Sequence, residues 1–177
     1  MRLQGTNTYI VGTGKSRLLI DTGQGEAFWT NHIRQVLASL EITLSHVLFT
    51  LWHSDHTGGV PDLIAHRPEC TAWINKCDPY HNQKAIVDRD IFRVKGATVR
   101  AVFTPGHAHD HICFELEEEN ALFTGDNILS HGQSVFEDLG LFTKSLWDMA
   151  NPNCQLGYPA HGDMLRDLPQ KMFKVIK

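Results

Sequence analysis

Five short polar clusters constrain this chain more than anything else in it. Asp21-Thr22-Gly23, His53-Ser54-Asp55-His56, Pro105-Gly106-His107, Gly125-Asp126-Asn127 and Pro159-Ala160-His161-Gly162 each follow an apolar, β-branched run that reads as a strand. A strand end is where a rigid scaffold can aim a side chain, so five such clusters imply strands that bring their ends to a common rim. A single His or Asp at such a place is ordinarily a solvated turn former; five in succession are hard to explain as surface decoration. Gly58, Gly59, Gly106, Gly125 and Gly162 lie beside the polar groups and permit sharp turns there. Neutral imidazole and carboxylate are ligands that suit zinc, iron or manganese, and a hydrolytic site keeps one position open for water.

The segments between the clusters supply the scaffold. Thr8–Val11 and Arg17–Ile20 read as strands joined by a hairpin at 12–15, and Ala27–Leu40 carries Ile33, Val36, Leu37 and Leu40 at helical spacing. His46–Thr50 is a strand running into the second cluster, followed by a helix around Val60–Ala65 entered through Pro61. Thr71–Ile74, Thr98–Phe103, Ile112–Leu116, Ala121–Phe123 and Leu156–Tyr158 read as further strands, with an acidic turn over Glu117–Asn120. Ser145–Met149 and Leu168–Ile176 read as helices. The alternation predicts a layered α/β sandwich forming one domain over residues 1–177. Trp29, Trp52, Trp73 and Trp147 are expected in the core or in a cleft wall.

Composition narrows the function. With 42% hydrophobic residues the chain can bury a sizeable core, and 16 Lys+Arg against 20 Asp+Glu leave no basic block to neutralise a row of phosphates, so no nucleic acid partner is expected. No apolar run approaches the ~20 residues of a membrane span, and Met1-Arg2-Leu3-Gln4-Gly5 is not the start of a signal peptide. Cys70, Cys77, Cys113 and Cys154 form no Cys-x-x-Cys pair and read as reduced thiols of a cytoplasmic protein. Ser134 and Ser145 lack a Gly-x-Ser-x-Gly context for covalent serine catalysis.

Taken in order, Asp21, His53-Ser54-Asp55-His56, His107, Asp126 and His161 resemble the metallo-β-lactamase-fold hydrolases, whose pattern runs Asp, His-x-His-x-Asp-His, His, Asp, His. The phrases Leu3–Tyr9, Thr104–His107, Gly125–Asn127 and Val135–Leu139 look closest to the branch holding the acyl-carrier-protein thioesterases of fungal polyketide pathways, of the atrochrysone carboxyl type. The resemblance implies a four-layer αββα sandwich, here shortened at both ends. It implies two metal subsites, zinc in the first instance, with manganese or iron as alternatives. His53 and His107 would hold the first metal, Asp55, His56 and His161 the second, and Asp126 would bridge them. Asp21 would orient a ligand imidazole through its second nitrogen, and Asp55 would steer the water that attacks a thioester carbonyl. The implied partner is an acyl-carrier protein or a polyketide synthase. The alternatives are an endoribonuclease on the same scaffold and a catalytically weakened homologue. No substrate-binding residue is indicated.

One departure from that pattern carries weight. Leu51 stands where the motif has its first histidine, and leucine has no lone pair for a metal. The first subsite then keeps His53, His107 and a shared Asp126, and should be weakened. His109 and His46 are poor substitutes by position; His109, His111, His32, His66 and His81 are expected to be solvated or hydrogen-bonded, while His131 could face the cleft. Near the end, Met172, Phe173, Val175 and Ile176 are expected to be poorly covered.

Overall fold

The computed structural model describes residues 5–67, 69–74, 83–131 and 134–176. His81, read above as solvated, and Cys77 lie outside the described residues. Two five-stranded sheets carry the architecture. The first has the order β1 (Tyr9–Val11), β2 (Ser16–Ile20), β3 (Thr43–Leu48), β4 (Thr71–Ile74), β5 (Gln83–Ala85). The β1–β2 pair is an antiparallel hairpin, and the remaining pairs are parallel. The second sheet places β10 (Leu156–Pro159) beside β9 (Ala121–Gly125), then β8 (Ile112–Leu116), β7 (Ala97–Phe103) and β6 (Ile91–Val94). Only β10–β9 is parallel there.

Parallel pairing needs crossovers, and helices supply them on the outer face. Helix α1 (Ala27–Ser39) links β2 to β3, while α2 (Ser54–Thr57) and α3 (Val60–His66) link β3 to β4. Period-two alternation then sorts each strand's side chains between two apolar layers. Leu18, Ile20 and Leu48 of the first sheet meet Val99, Ala101, Ile112, Phe114 and Phe123 of the second. Leu19, Leu44 and Val47 turn outward onto Ile33 and Leu37 of α1 and onto Val60 and Leu63 of α3. Cys113 and Leu122 turn outward onto Phe142, Leu146 and Met149 of α4 (Leu139–Ala150) and onto Leu168 and Met172 of α5 (Leu168–Ile176). The result is helix, sheet, sheet, helix: the four-layer αββα sandwich.

Several local expectations are corrected. Helix α4 starts at Leu139 rather than Ser145, because the Asp138 carboxylate caps it by accepting from the Leu141 amide at 2.9 Å. Leu40 falls just outside α1 and is exposed. Strands β5 and β6 escape the pattern because Gln-Lys-Ala has no apolar alternation and Ile-Phe-Arg-Val is a four-residue edge. Trp147 is not core: it is 59% exposed on α4, whereas Met172 is buried rather than uncovered.

Candidate metal centre

The five polar clusters meet along one rim, and neighbouring loops fix their side chains. Strand β2 ends at Ile20, and Asp21 takes a left-handed backbone (φ +56°) that turns its carboxylate inward. Its amide donates to the Leu48 carbonyl at 3.0 Å, tying the turn to β3. Beyond β3, the His53 carbonyl accepts from the His56 and Thr57 amides at 2.9 and 3.1 Å, and this single turn of α2 sets Asp55 and His56 side by side. The Thr22 amide and hydroxyl both donate to the His56 carbonyl, at 2.7 and 2.8 Å, which ties the first two clusters together.

Three imidazoles have one nitrogen committed away from the centre. His56 Nδ1 faces Asp21 Oδ2 at 2.9 Å, His107 Nδ1 donates to the Val135 carbonyl at 2.8 Å, and His161 Nδ1 donates to the Gly5 carbonyl at 2.8 Å. In each ring this leaves Nε2 directed to the centre. Among the described residues those three Nε2 atoms and Asp126 Oδ1 are buried without a hydrogen-bond partner, a costly condition unless something else satisfies them.

Their spacing suggests what that is. His161 Nε2 lies 3.2 Å from Asp126 Oδ1 and 3.4 Å from Asp55 Oδ2, and His107 Nε2 lies 3.3 Å from Asp126 Oδ2. His56 Nε2 lies 3.6 Å from Asp55 Oδ2 and 3.7 Å from Asp126 Oδ1. Ligands bound at about 2.0–2.1 Å around a tetrahedral zinc are separated by about 3.3–3.4 Å, and the shorter of these spacings match that value. Two trios result, His53 with His107 and Asp126, and Asp55 with His56 and His161. Asp126 turns Oδ2 toward His107 of the first trio and Oδ1 toward His56 and His161 of the second.

Without a cation the centre is strongly polarised. Burial alone would lower the pKa of His56, but the Asp21 charge, with Asp126 facing it, raises it to about 10. Burial likewise opposes protonation of His161, and Asp126 and Asp55 reverse that, again to about 10. Burial would raise Asp126; His161 and His56 opposite it hold its carboxyl far below the usual range instead. His53 is lowered, first by burial and then by the neighbouring His107.

All six proposed ligands, His53, Asp55, His56, His107, Asp126 and His161, are brought together, and Asp21 touches the ring of His56. Leu51 is fully buried, and among the described residues no further His, Cys, Asp or Glu joins the first trio. His46 sits among the rings of Trp73 and Phe92, and the His109 side chain is 74% exposed beside Glu137. His131 is exposed, with Nδ1 on Ser130 Oγ at 2.7 Å and its ring against the Gly162 turn.

A residue whose role the sequence did not disclose is His111. Its hydrogen-bonded alternative holds, and the bonds bear on the centre. Fully buried, it donates from Nδ1 to Thr104 Oγ1 at 2.9 Å and accepts the Asp126 amide on Nε2 at 3.1 Å. Burial, then the adjacent His107, lowers its pKa to about 3, which keeps Nε2 an acceptor. Gly125 makes this approach possible: its φ is +51°, and a Cβ there would lie 2.5 Å from His111 Nε2. The only sequence signal was a histidine immediately ahead of the apolar run of β8.

Known proteins agree with this architecture. The family model described as the metallo-beta-lactamase superfamily matches residues 1–155. The chain is 61% identical over 177 residues to the lactamase-like protein adaB of Aspergillus niger, covering 100% of this chain and 56% of that protein. It is 55% identical over 171 residues to the atrochrysone carboxyl ACP thioesterase of Aspergillus chevalieri, covering 97% of this chain and 56% of that protein. The chain thus spans little more than half the length of these relatives. Among solved structures, a metallo-beta-lactamase family protein from Thermus thermophilus superposes with a TM-score of 0.83 at 20% identity, over 97% of this chain and 73% of that one. By fold and by sequence, the chain belongs to the metallo-β-lactamase superfamily.

Proposed function

We propose that residues 1–177 form one metal-dependent hydrolase unit that cleaves an acyl thioester carried by an acyl-carrier protein or polyketide synthase. The observation that carries this reading is the pair of His/His/carboxylate trios joined through Asp126. The relative named as an acyl-carrier-protein thioesterase supports the substrate class. Zinc is the proposed metal, with manganese or iron as alternatives that the same ligands accept. Among the described residues no helix is long and apolar enough to cross a membrane. The buried, unbridged Cys70, Cys113 and Cys154 support a reducing, cytoplasmic setting.

His53, His107 and Asp126 would hold one cation, and Asp55, His56, His161 and Asp126 the other. When bound, these ions supply Lewis acidity toward a carbonyl oxygen and lower the pKa of water. The chain's own groups do the positioning. Asp21 and the Val135 and Gly5 carbonyls hold three imidazoles with Nε2 inward, and His111 anchors the backbone of Asp126. Asp55 is the least buried carboxylate of the centre, at 23% side-chain exposure, and its charge is kept by His161 and His56 against the cost of burial. It accepts a hydrogen bond from the attacking water and orients it. Water adds to the carbonyl, the C–S bond breaks, and the acid and the thiol leave.

Leu51 favours a second reading, a homologue of reduced turnover, because its buried side chain offers no ligand beside the first trio. An endoribonuclease is disfavoured by the net charge of −4. One preparation loaded with zinc, manganese or iron should be assayed on N-acetylcysteamine thioesters and on a short RNA. Metal-dependent release of thiol without RNA cleavage is expected, and RNA cleavage without thiol release would overturn the proposal.

A further inference from the structure

Residues 5–9 lie across the loop that carries His161. The Asn7 backbone amide donates to the Ala160 carbonyl at 2.7 Å. Its side-chain NH₂ reaches both sides of the same histidine, donating to the Pro159 carbonyl at 3.0 Å and to the Gly162 carbonyl at 2.7 Å. Two carbonyl acceptors require two donors, and a primary amide supplies both from one nitrogen. The Tyr9 hydroxyl adds a further bond to the Pro159 carbonyl at 2.6 Å. The Ala160 amide donates to the Gly125 carbonyl at 3.0 Å, which joins the loop to the residue before Asp126. Two residues ahead of Asn7, the Gly5 carbonyl accepts from His161 Nδ1 at 2.8 Å, so the group that aims the imidazole and the group that fixes its backbone sit on one short stretch. Between them the Thr6 hydroxyl donates to Asp55 Oδ2 at 3.3 Å, the oxygen that lies 3.4 Å from His161 Nε2. Asp55 follows β3 of the first sheet and His161 follows β10 of the second. Residues 5–7 therefore touch two members of the second trio that come from opposite halves of the sandwich.

From this closed ring of contacts we infer that Asn7 is a positioning residue of the metal centre: by holding residues 159, 160 and 162 it keeps the Gly5 carbonyl on His161 Nδ1 and so keeps Nε2 toward Asp55 and Asp126. The residue type matters as much as the place. Aspartate has the same shape but, when ionised, no donor, and it would set a carboxylate oxygen against two carbonyl oxygens that now stand 3.0 and 2.7 Å from the amide nitrogen. Alanine removes both donors without adding that repulsion. The inference rests on the metal-centre reading and is independent of which bond the centre cleaves.

Zinc competition against a chromophoric chelator measures the effect. Asn7→Asp should lower affinity at the tighter site by about 10–100-fold, the range for groups that act through a ligand imidazole, and Asn7→Ala by about tenfold. Thr8→Val controls for simple loosening of the stretch, because the Thr8 hydroxyl accepts from the Trp29 indole at 3.1 Å and so fastens residues 5–9 to α1 rather than to the loop. That variant should lower the melting temperature and keep zinc affinity within twofold of native. Imidazole ¹⁵N–¹H correlations at saturating zinc supply the site-specific signature. Both Asn7 variants should lose the His161 Nδ1 proton signal to solvent exchange and retain that of His56, which Asp21 holds. Asn7 variants that bind zinc within twofold of native, that lose both imidazole signals together, or that Thr8→Val matches in lost affinity, would overturn the inference. A native chain that takes up no zinc would instead reject the metal-centre reading, and the inference with it.

Discussion

Replacing Asp21 by Asn should disable the second trio although no proposed ligand is touched. Asp21 Oδ1 accepts the Thr50 amide at 2.9 Å, and Oδ2 accepts the Thr50 hydroxyl at 2.7 Å while facing His56 Nδ1 at 2.9 Å. In the variant the Thr50 amide still requires an oxygen, so the Asn NH₂ must face His56. It then donates to Nδ1 and drives the ring proton onto Nε2, the atom the metal needs. A counter-effect has to be weighed: losing the Asp21 charge also releases part of the upward shift of His56, so protons compete less for Nε2. A divalent ion at that nitrogen carries twice the charge of a proton, so the lost carboxylate weakens the metal more than its competitor. Disturbing a group that orients a metal-bound imidazole typically costs 10–100-fold in affinity, about 1.4–2.7 kcal/mol, and that range is expected here. Competition against a chromophoric chelator reads the affinity, and calorimetry in two buffers of different ionisation enthalpy reads proton release. The native protein should release about two protons at pH 7 when the second trio fills, from His56 and His161, both near pKa 10 without metal. Asp21→Asn should release fewer. Zinc affinity within twofold of native, with unchanged proton release, would refute the assigned role of Asp21.

The same shifts fix the pH dependence of the metal-free protein. His56 and His161 titrate higher in the folded chain than the ordinary value of 6.5, so their contribution is complete below about pH 6.5 and disappears as pH rises through about 10. Urea denaturation of the metal-free protein should therefore show stability falling from pH 7 to 9, with a limiting slope of about 1.4 kcal/mol per pH unit for each differential proton, while the zinc-loaded protein stays nearly flat. Leu51→His should raise tightly bound zinc, measured by elemental analysis after desalting, from about one toward two per chain and increase thioester hydrolysis; two tight zincs in the native chain would contradict the assignment of a weakened first trio. Gly125→Ala combines a left-handed backbone with a Cβ 2.5 Å from His111 Nε2 and 3.0 Å from the Thr50 side chain. It should cost about 1–2 kcal/mol from the backbone alone and lower zinc affinity with it, read by thermal melts with and without metal.

The proposed ligand set was legible because its chemistry demands particular side chains at strand ends, and Leu51 was legible as a departure for the same reason. What holds those ligands was less so. His107 is oriented by the carbonyl of Val135 and His161 by that of Gly5, and a backbone carbonyl leaves no signature in the residue that carries it. The role of His111 depends on the amide of Asp126 reaching it from the end of the neighbouring strand, a relation that only the β8–β9 pairing creates. Strands β5 and β6 were missed because edge strands this short bury too little to impose a pattern. This division has a consequence for the centre. The side chain at position 135 is free to change without releasing an imidazole, whereas position 21 is not, because there the orienting oxygen belongs to the side chain; position 5 is restricted for a different reason, its backbone φ of +72°. Val135→Ser should therefore leave zinc affinity untouched while Asp21→Asn lowers it, although each residue bonds the outer nitrogen of a ligand histidine at nearly the same distance, 2.8 and 2.9 Å.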